Sequence, residues 1–301
     1  IRDRLYPGES GVRLVHGEGD LLPGLVVDRY GDALSIQTLT FAMEQRKDWL
    51  VDELQELTGA EVVVERNDVS TRRHEGMEQK KGVLRGTLDG PVPYREGDVE
   101  LVADLIEGQK TGAFLDQREN HVLAGTLAAG RALDCFSYFG GFALQLARHA
   151  SEVIAVDSSE KAVAEIAANA KRNGVKNLEA KCANSFDDLR ARVDAGEKFD
   201  TIVLDPPAFT KSKDTIDAAV RGYKEINLRA LQLLNPGGLL VTASCSFHMD
   251  EARFEEMLVS AAVDAKRSVQ LLEKRGAGRD HPVLPGVPET RYLKCFVMRV
   301  V

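Results

Sequence analysis

The sequence predicts an α/β chain in two parts: a Rossmann-like, doubly wound sheet over residues 106–301 and a smaller N-terminal α+β domain over residues 1–105. Three observations carry this. From residue 131 onward, short apolar runs alternate with longer stretches of helical periodicity, the pattern of a parallel sheet covered by helices. The stretch from Leu133 to Leu144, LDCFSYFGGFAL, passes from strand to acid to glycine pair to helix. Asp134, Asp157, Asp205 and Cys245 each fall at or just past the end of a predicted strand, where open α/β sheets bind ligands.

Length and composition fit that picture. The 301 residues are enough for two domains, and 44% hydrophobic with 29% charged residues is the balance of a folded globular protein. No apolar run is long enough to cross a bilayer, and no charged-then-apolar signal segment opens the chain, so a cytoplasmic protein without a membrane partner is expected. The chain starts at Ile1 rather than Met, which leaves room for an upstream segment. Cys135, Cys182, Cys245 and Cys295 are scattered, with no CxxC pair and no ligand-like His spacing. That pattern argues against a zinc site and against a disulfide framework. A net charge of −8 neither announces nor excludes a nucleic-acid partner, because a local basic face decides that.

In the first part, 12–15, 25–27 and 33–39 read as strands, the last half-buried because Leu34 and Ile36 alternate with polar residues. Residues 42–57 read as a helix stopped near Gly59, and 62–64 as a strand. The following polar stretch carries Arg66, Arg72, Arg73, Lys80, Lys81 and Arg85 among Glu75 and Glu78. It is either a solvated loop or hairpin, or a surface for phosphate backbone. A strand over 100–105 leads into Gly108-Gln109-Lys110-Thr111-Gly112 and Phe114-Leu115-Asp116-Gln117-Arg118-Glu119-Asn120, which opens a helix to about Ala129.

Then the alternation begins. Strands are expected at 132–136, 153–156, 178–182, 201–204 and 239–242, with helices at 141–149, 159–173, 186–193, 215–234 and 251–265. The helix over 159–173 has an apolar stripe of Val163, Ile166, Ala167 and Ala170, a serine cap and a terminating Gly174. The last two strands, 269–272 and 293–299, have no helix between them and are expected to pair antiparallel.

The strand ends suggest a ligand. Gly140 and Gly141 let backbone approach it closely, and the following helix points unpaired N–H groups at it. Asp157 lies where an acid hydrogen-bonds a ribose. The turn Ser137-Tyr138-Phe139-Gly140-Gly141 lacks the G-x-G-x-x-G spacing that admits a pyrophosphate. Asp134 would repel a pyrophosphate but suits a cation, so S-adenosylmethionine, with its sulfonium, amine and ribose, fits better than a dinucleotide. Asp205-Pro206-Pro207-Ala208-Phe209 is either a rigid turn or a base-binding acid backed by a stacking ring. Cys245, between two serines, is either packing or a nucleophile that adds to carbon 6 of a pyrimidine and so activates carbon 5. Cys135, Cys182 and Cys295 read as packing.

These residues resemble the RlmI-like (RlmI/RlmK-like) class I methyltransferases, which use S-adenosylmethionine to methylate large-subunit ribosomal RNA. The likeness runs over nearly the whole chain. It includes Arg13 to Glu18, Leu22-Pro23-Gly24-Leu25, Val27 to Tyr30, Gln109 to Asn120, the Asp134 turn, Asp205-Pro206-Pro207 with Lys211, Ser244-Cys245-Ser246, Asp280-His281-Pro282 and Pro288 to Lys294. The resemblance implies an upstream RNA-binding PUA domain, a class I methyltransferase sheet, large-subunit ribosomal RNA as partner and a homodimer. It implies that Cys245 and Asp205 act in catalysis. It implies a cofactor site lined by Phe114, Asp116, Arg118, Asp134, Phe136, Ser137, Gly140, Asp157, Ser158, Asn184, Ser185 and Asp205. Asn184 departs from the acid often found there, but its amide both donates and accepts. Three readings stay open: methylation of cytosine carbon 5, direct methylation of guanine or adenine, and a non-catalytic RNA-binding or assembly protein. Cys245 favours the first.

Overall fold

The computed structural model describes residues 1–210 and 213–301. They form two compact units. The first comprises Ile1–Arg118 and Gly278–Thr290, the second Glu119–Ala277 and Arg291–Val301. The sequence reading divides the chain at 105/106; the first unit instead runs on to Arg118 and gains a returning segment.

The first unit holds a five-stranded sheet in sequence order: β1 (Gly11–His16), β2 (Leu25–Tyr30), β3 (Ala33–Thr38), β4 (Val62–Asn67) and β5 (Lys80–Arg85). Neighbours pair antiparallel except β3 and β4, which are parallel and joined through helix α1 (Lys47–Thr58). A parallel pair needs such a crossover. Val51 of α1 is fully buried among Leu25, Val27, Leu34, Ile36 and Val63, and Gly59 ends the helix at φ 69°. The helix expected over 42–57 is two helices, Phe41–Glu44 and α1. They part after Glu44, whose carboxylate turns inward to the Thr38 hydroxyl, Arg72 and Lys47.

β3 is buried along its whole length rather than on one face. It is the middle strand, and its polar residues are satisfied from inside. Gln37 donates to the Arg66 carbonyl at 2.8 Å, and the Thr38 N–H donates to Asn67 Oδ1 at 2.7 Å. The polar stretch after residue 65 is a hairpin of β4 and β5, and two of its arginines face inward. Arg66 donates to the carbonyls of Leu105 and Gly108, and Arg72, 1% exposed, to Thr38 and Glu44. A second hairpin, β6 (Val92–Glu96) with β7 (Val99–Ala103), follows.

Residues 104–118 belong with this unit because its buried polar groups hold them. Tyr30 Oη lies 3.2 Å from the Thr111 hydroxyl and accepts the Ala113 N–H at 3.1 Å; Thr111 also bonds Asp28. Arg118, 2% exposed, donates to the Gly11 carbonyl and to Asp280 Oδ2 at 2.8 Å, with its guanidinium 3.6 Å from the Tyr6 ring centre. Asp280 also accepts the Arg13 N–H at 3.0 Å and lies 2.8 Å from His281 Nδ1.

The second unit is built on a seven-stranded sheet. In chain order its strands are β8 (Arg131–Cys135), β9 (Glu152–Asp157), β10 (Leu178–Cys182), β11 (Phe199–Leu204), β12 (Leu234–Ser244), β13 (Val269–Arg275) and β14 (Lys294–Val300). The spatial order is β10-β9-β8-β11-β12-β14-β13. The first five are parallel; β14 runs antiparallel to both β12 and β13, and its pairing with β13 is the one expected from the missing helix. Helices α2 (Arg118–Leu127), α3 (Gly141–Leu146), α4 (Glu160–Arg172), α5 (Ser185–Asp194), α6 (Ile216–Leu233) and α7 (Glu251–Asp264) complete the alternation.

Strand side chains alternate between faces, and the core divides accordingly. Leu133, Ile154, Ile202 and Leu240 meet Leu189 of α5, Tyr223 and Ile226 of α6 and Phe254 and Leu258 of α7. Ala132, Val153, Val203 and Val241 meet Ala124 of α2, Phe142 and Leu146 of α3 and Ile166 of α4. Cys135 and Cys295 are fully buried in these layers, and burial pushes both thiols up. Cys182, expected to be packing, is exposed because β10 is the sheet's edge strand. No helix among the described residues is long and apolar enough to cross a membrane.

Asp280→Ala leaves the buried Arg118 guanidinium without its carboxylate. Loss of one member of a buried pair costs roughly 3–5 kcal/mol, so denaturant unfolding is expected to show a loss of that order.

Candidate functional site

Chain order sets the place. β9 and β10 add to one side of β8, while β11 and β12 add to the other, so the sheet reverses between β8 and β11. Crossovers leave toward opposite faces there and open a crevice beyond the strand ends. The segments after β8 and β11 carry the Asp134 turn and Asp205-Pro206-Pro207.

Asp134 is fully buried in β8. One carboxyl oxygen accepts the Ser137 hydroxyl at 2.5 Å; the other, Oδ1, has no hydrogen-bond partner among the described residues. Burial pushes the carboxyl up to about 7, with the charge of Asp205 adding to it and Ser137 and His121 opposing. An unsatisfied buried carboxyl of this kind favours a cationic ligand, which would restore its charge.

The turn after Asp134 is strained. Phe136 and Tyr138 take φ of 64° and 50°, and Gly140 takes 88°. For residues with a Cβ this conformation costs about 1–3 kcal/mol each. Hydrogen bonds hold it: the Ser137 N–H donates to the Val156 carbonyl at 3.1 Å, and the Gly140 N–H to the Ser137 carbonyl at 2.8 Å. Asp157, at the end of β9, braces the turn from the next strand. Its Oδ2 accepts the Tyr138 N–H and its Oδ1 the Ser159 N–H, each at 2.9 Å. Each oxygen keeps a lone pair, so the carboxylate can still receive hydroxyl donors. Gly141 answers to packing instead: a Cβ there would stand 2.5 Å from His121 Cε1, whose ring lies edge-on to Phe142.

Asn184 caps α5, its Oδ1 accepting the Phe186 N–H at 2.9 Å and the Asp187 N–H at 3.4 Å. Ser185, the first residue of α5, is buried, whereas Ser158 is exposed and its carbonyl receives the Cys182 thiol at 3.6 Å. Phe136, Phe186 and Phe209 form an aromatic cluster with centroids 5.7–6.4 Å apart, and Phe209 packs 4.5 Å from Tyr223. Phe209 is therefore partly engaged by the fold. Lys211, named with the Asp205 motif, lies outside the described residues.

Cys245 follows β12 and is partly exposed between two buried serines. Tyr223 of α6 ties those serines together: its Oη receives the Ser244 hydroxyl at 3.0 Å and lies 2.9 Å from Ser246 Oγ. From β14, Lys294 donates to the Ser246 carbonyl at 2.7 Å. Sequence reading missed both Tyr223 and Lys294. The antiparallel expectation concerned β13 and β14 alone, whereas Lys294 is set opposite Ser244 by the pairing of β14 with β12.

Of the residues expected at the cofactor, Phe114, Asp116 and Arg118 belong to the first unit and the others to the second. Asp116 is buried and accepts Lys110 Nζ at 2.6 Å, and that ammonium lies 4.4 Å from the Phe114 ring centre. Arg118 is committed to Gly11, Asp280 and Tyr6. No group of three or more His, Cys, Asp or Glu side chains among the described residues could hold a metal ion.

Comparison with known proteins adds three findings. Residues 118–258 match the family model described as Conserved hypothetical protein 95. Two curated relatives are each named Ribosomal RNA large subunit methyltransferase I. The one from Erwinia tasmaniensis is 42% identical over 306 residues, covering 100% of this chain and 76% of its own length. That from Escherichia coli O157:H7 is 40% identical over 299 residues, covering 98% and 76%. Among solved structures, a chain designated a methyltransferase and complexed with SAH superposes with a TM-score of 0.83 at 22% identity, covering 97% of this chain and 76% of that one. The SAM-dependent methyltransferase from Agrobacterium tumefaciens gives a TM-score of 0.65 at 15% identity, covering 97% and 90%. At such identities these two likenesses concern the fold.

Gly141→Ala forces the His121 ring to move within a packed layer. Overpacking of this kind costs about 1–3 kcal/mol, and a thermal melt of the variant is expected to show a corresponding drop.

Proposed function

Because the chain belongs to the ribosomal RNA large subunit methyltransferase I family, we propose that it transfers a methyl group from S-adenosylmethionine to large-subunit ribosomal RNA, at carbon 5 of a cytosine, through a covalent adduct on Cys245. The observation that carries the cytosine reading is the partly exposed Cys245 at a strand end of the sheet whose other parallel-strand ends bear Asp134, Asp157 and Asp205.

The residues present fit the cofactor. Asp134 offers a buried, half-satisfied carboxyl to an ammonium, Asp157 offers lone pairs to ribose hydroxyls, and Asn184 keeps its amide donor beside Phe186. When bound, S-adenosylmethionine supplies an electrophilic methyl on its sulfonium. Cys245, as thiolate, adds to carbon 6 of the cytosine; a sulfur–carbon bond forms and the ring's 5,6 π pair shifts to make carbon 5 nucleophilic. Carbon 5 takes the methyl, loses its proton to a base, and the thiolate leaves carbon 6 to restore the ring. Asp205, held where two prolines restrict the backbone, accepts hydrogen bonds from the base edge and fixes its orientation.

Incubation with labelled S-adenosylmethionine and ribosomal RNA, followed by nucleoside mass spectrometry, is expected to yield 5-methylcytidine. A methylated guanine or adenine would overturn the cytosine assignment, and no methylated nucleoside would overturn the reaction. Cys245→Ala is expected to abolish transfer while calorimetry finds cofactor affinity within a few-fold of the original.

Asp134 adds a pH signature. Its carboxyl holds a proton below about 7 in the free protein, and a cationic ligand binds the ionised form better. Affinity for S-adenosylmethionine is therefore expected to fall as pH drops below 7, by about tenfold at one unit below, with nearly one proton released per ligand bound there. Calorimetry in buffers of different ionisation enthalpy reads that proton directly; an unchanged heat across buffers would remove Asp134 from the ligand.

A further inference from the structure

We infer that Lys294 is the partner cation of Cys245: its ammonium, seated on the carbonyls of Ser246 and Tyr292, favours the thiolate and keeps the Ser-Cys-Ser turn in place.

Lys294 is 5% exposed. Among the described residues no carboxylate forms an ion pair with it, although an isolated buried charge is costly. Two of its three N–H groups are spent, on Ser246 and Tyr292 at 2.7 Å each. The third remains for another acceptor. β12 and β14 pair Ser244 with Lys294, so the ammonium sits under the turn that carries Cys245. Burial pushes the Lys294 ammonium down to about 8, and Cys245 leads the charges that draw it back, ahead of Asp250. His248 and Asp250 lie in this turn, and Tyr223 from α6 packs on it through Ser244 and Ser246. Asp205, Arg275 and Glu273 act on the neighbouring Cys295. A nearby cation lowers a thiol's pKa and raises its thiolate fraction at neutral pH.

The inference rests on Cys245 as nucleophile in the proposed reaction, but its test does not need RNA. Iodoacetamide alkylates a thiolate, the sulfur displacing iodide, and peptide mass spectrometry of the full chain assigns the label to each cysteine. Exposed Cys182 is an internal reference. Lys294→Met and Lys294→Gln are expected to move the Cys245 alkylation midpoint up by about one pH unit, slowing it about tenfold at neutral pH. Lys294→Arg is expected to stay near the original, and Cys182 not to move. The Gln variant keeps a donor for the Ser246 carbonyl, so it separates charge from geometry and decides the matter if the Met variant fails to fold. Unchanged midpoints, with only the plateau rate or melting altered, would overturn the pairing and leave Lys294 as a support for the turn. A shifted midpoint in a protein whose unsubstituted form methylates no RNA would support the pair while overturning the reaction.

Discussion

The reversal of direction in the parallel sheet is the constraint from which the candidate centre follows. β8 is laid down first, and the later strands fill one side of it before the chain jumps back to β11. Such a jump forces neighbouring crossovers onto opposite faces and leaves the ends of β8 and β11 uncovered by their own connections. The period-two alternation of each strand then sorts the side chains. Cys135 goes into the layer under α5–α7, while Asp134, one position earlier, points the other way. A one-residue slip of β8 would exchange them and put a thiol where the carboxyl stands.

Around that reversal the chain holds itself in costly conformations with ordinary hydrogen bonds. Asp157 joins the turn after β8 to the start of α4 through two backbone N–H groups. Tyr223 does the same for the turn after β12 with two hydroxyls. In both places an atom from a neighbouring element fixes a loop that could not fix itself. Loops set in this way can present groups to a ligand without first losing much entropy.

The alternation of strands and helices from residue 131 was legible because it depends on local periodicity, and so were the four strand-end groups Asp134, Asp157, Asp205 and Cys245. What escaped were features decided by distant partners. The Arg66 and Arg72 side chains carry the same formal charge as Lys80 and Lys81, but only the fold shows that they are buried against Gly108, Thr38 and Glu44. β6 was hidden by its proline and its charges, since a two-stranded hairpin needs little apolar patterning. Asn184 stood out as a departure from an acid, and its capping bonds explain why a side-chain carbonyl suffices for α5. Lys294 was visible within the stretch 288–294, but its place opposite Ser244 comes from a register that no single segment reveals.

The segment 278–290 carries a consequence for how the protein is made. The first unit is discontinuous: Arg13 and Arg118 come from its early part, while Asp280 arrives only after the strands β8–β13 have been synthesised. Until then the nascent first unit has the Arg118 guanidinium and the Arg13 N–H of β1 prepared for a carboxylate that does not yet exist. Synthesis proceeds at roughly 5–20 residues per second, so this interval lasts on the order of ten seconds. Each unit thus waits on a late segment: the first on 278–290, and the second on β14, which is made after it and fills the gap between β12 and β13.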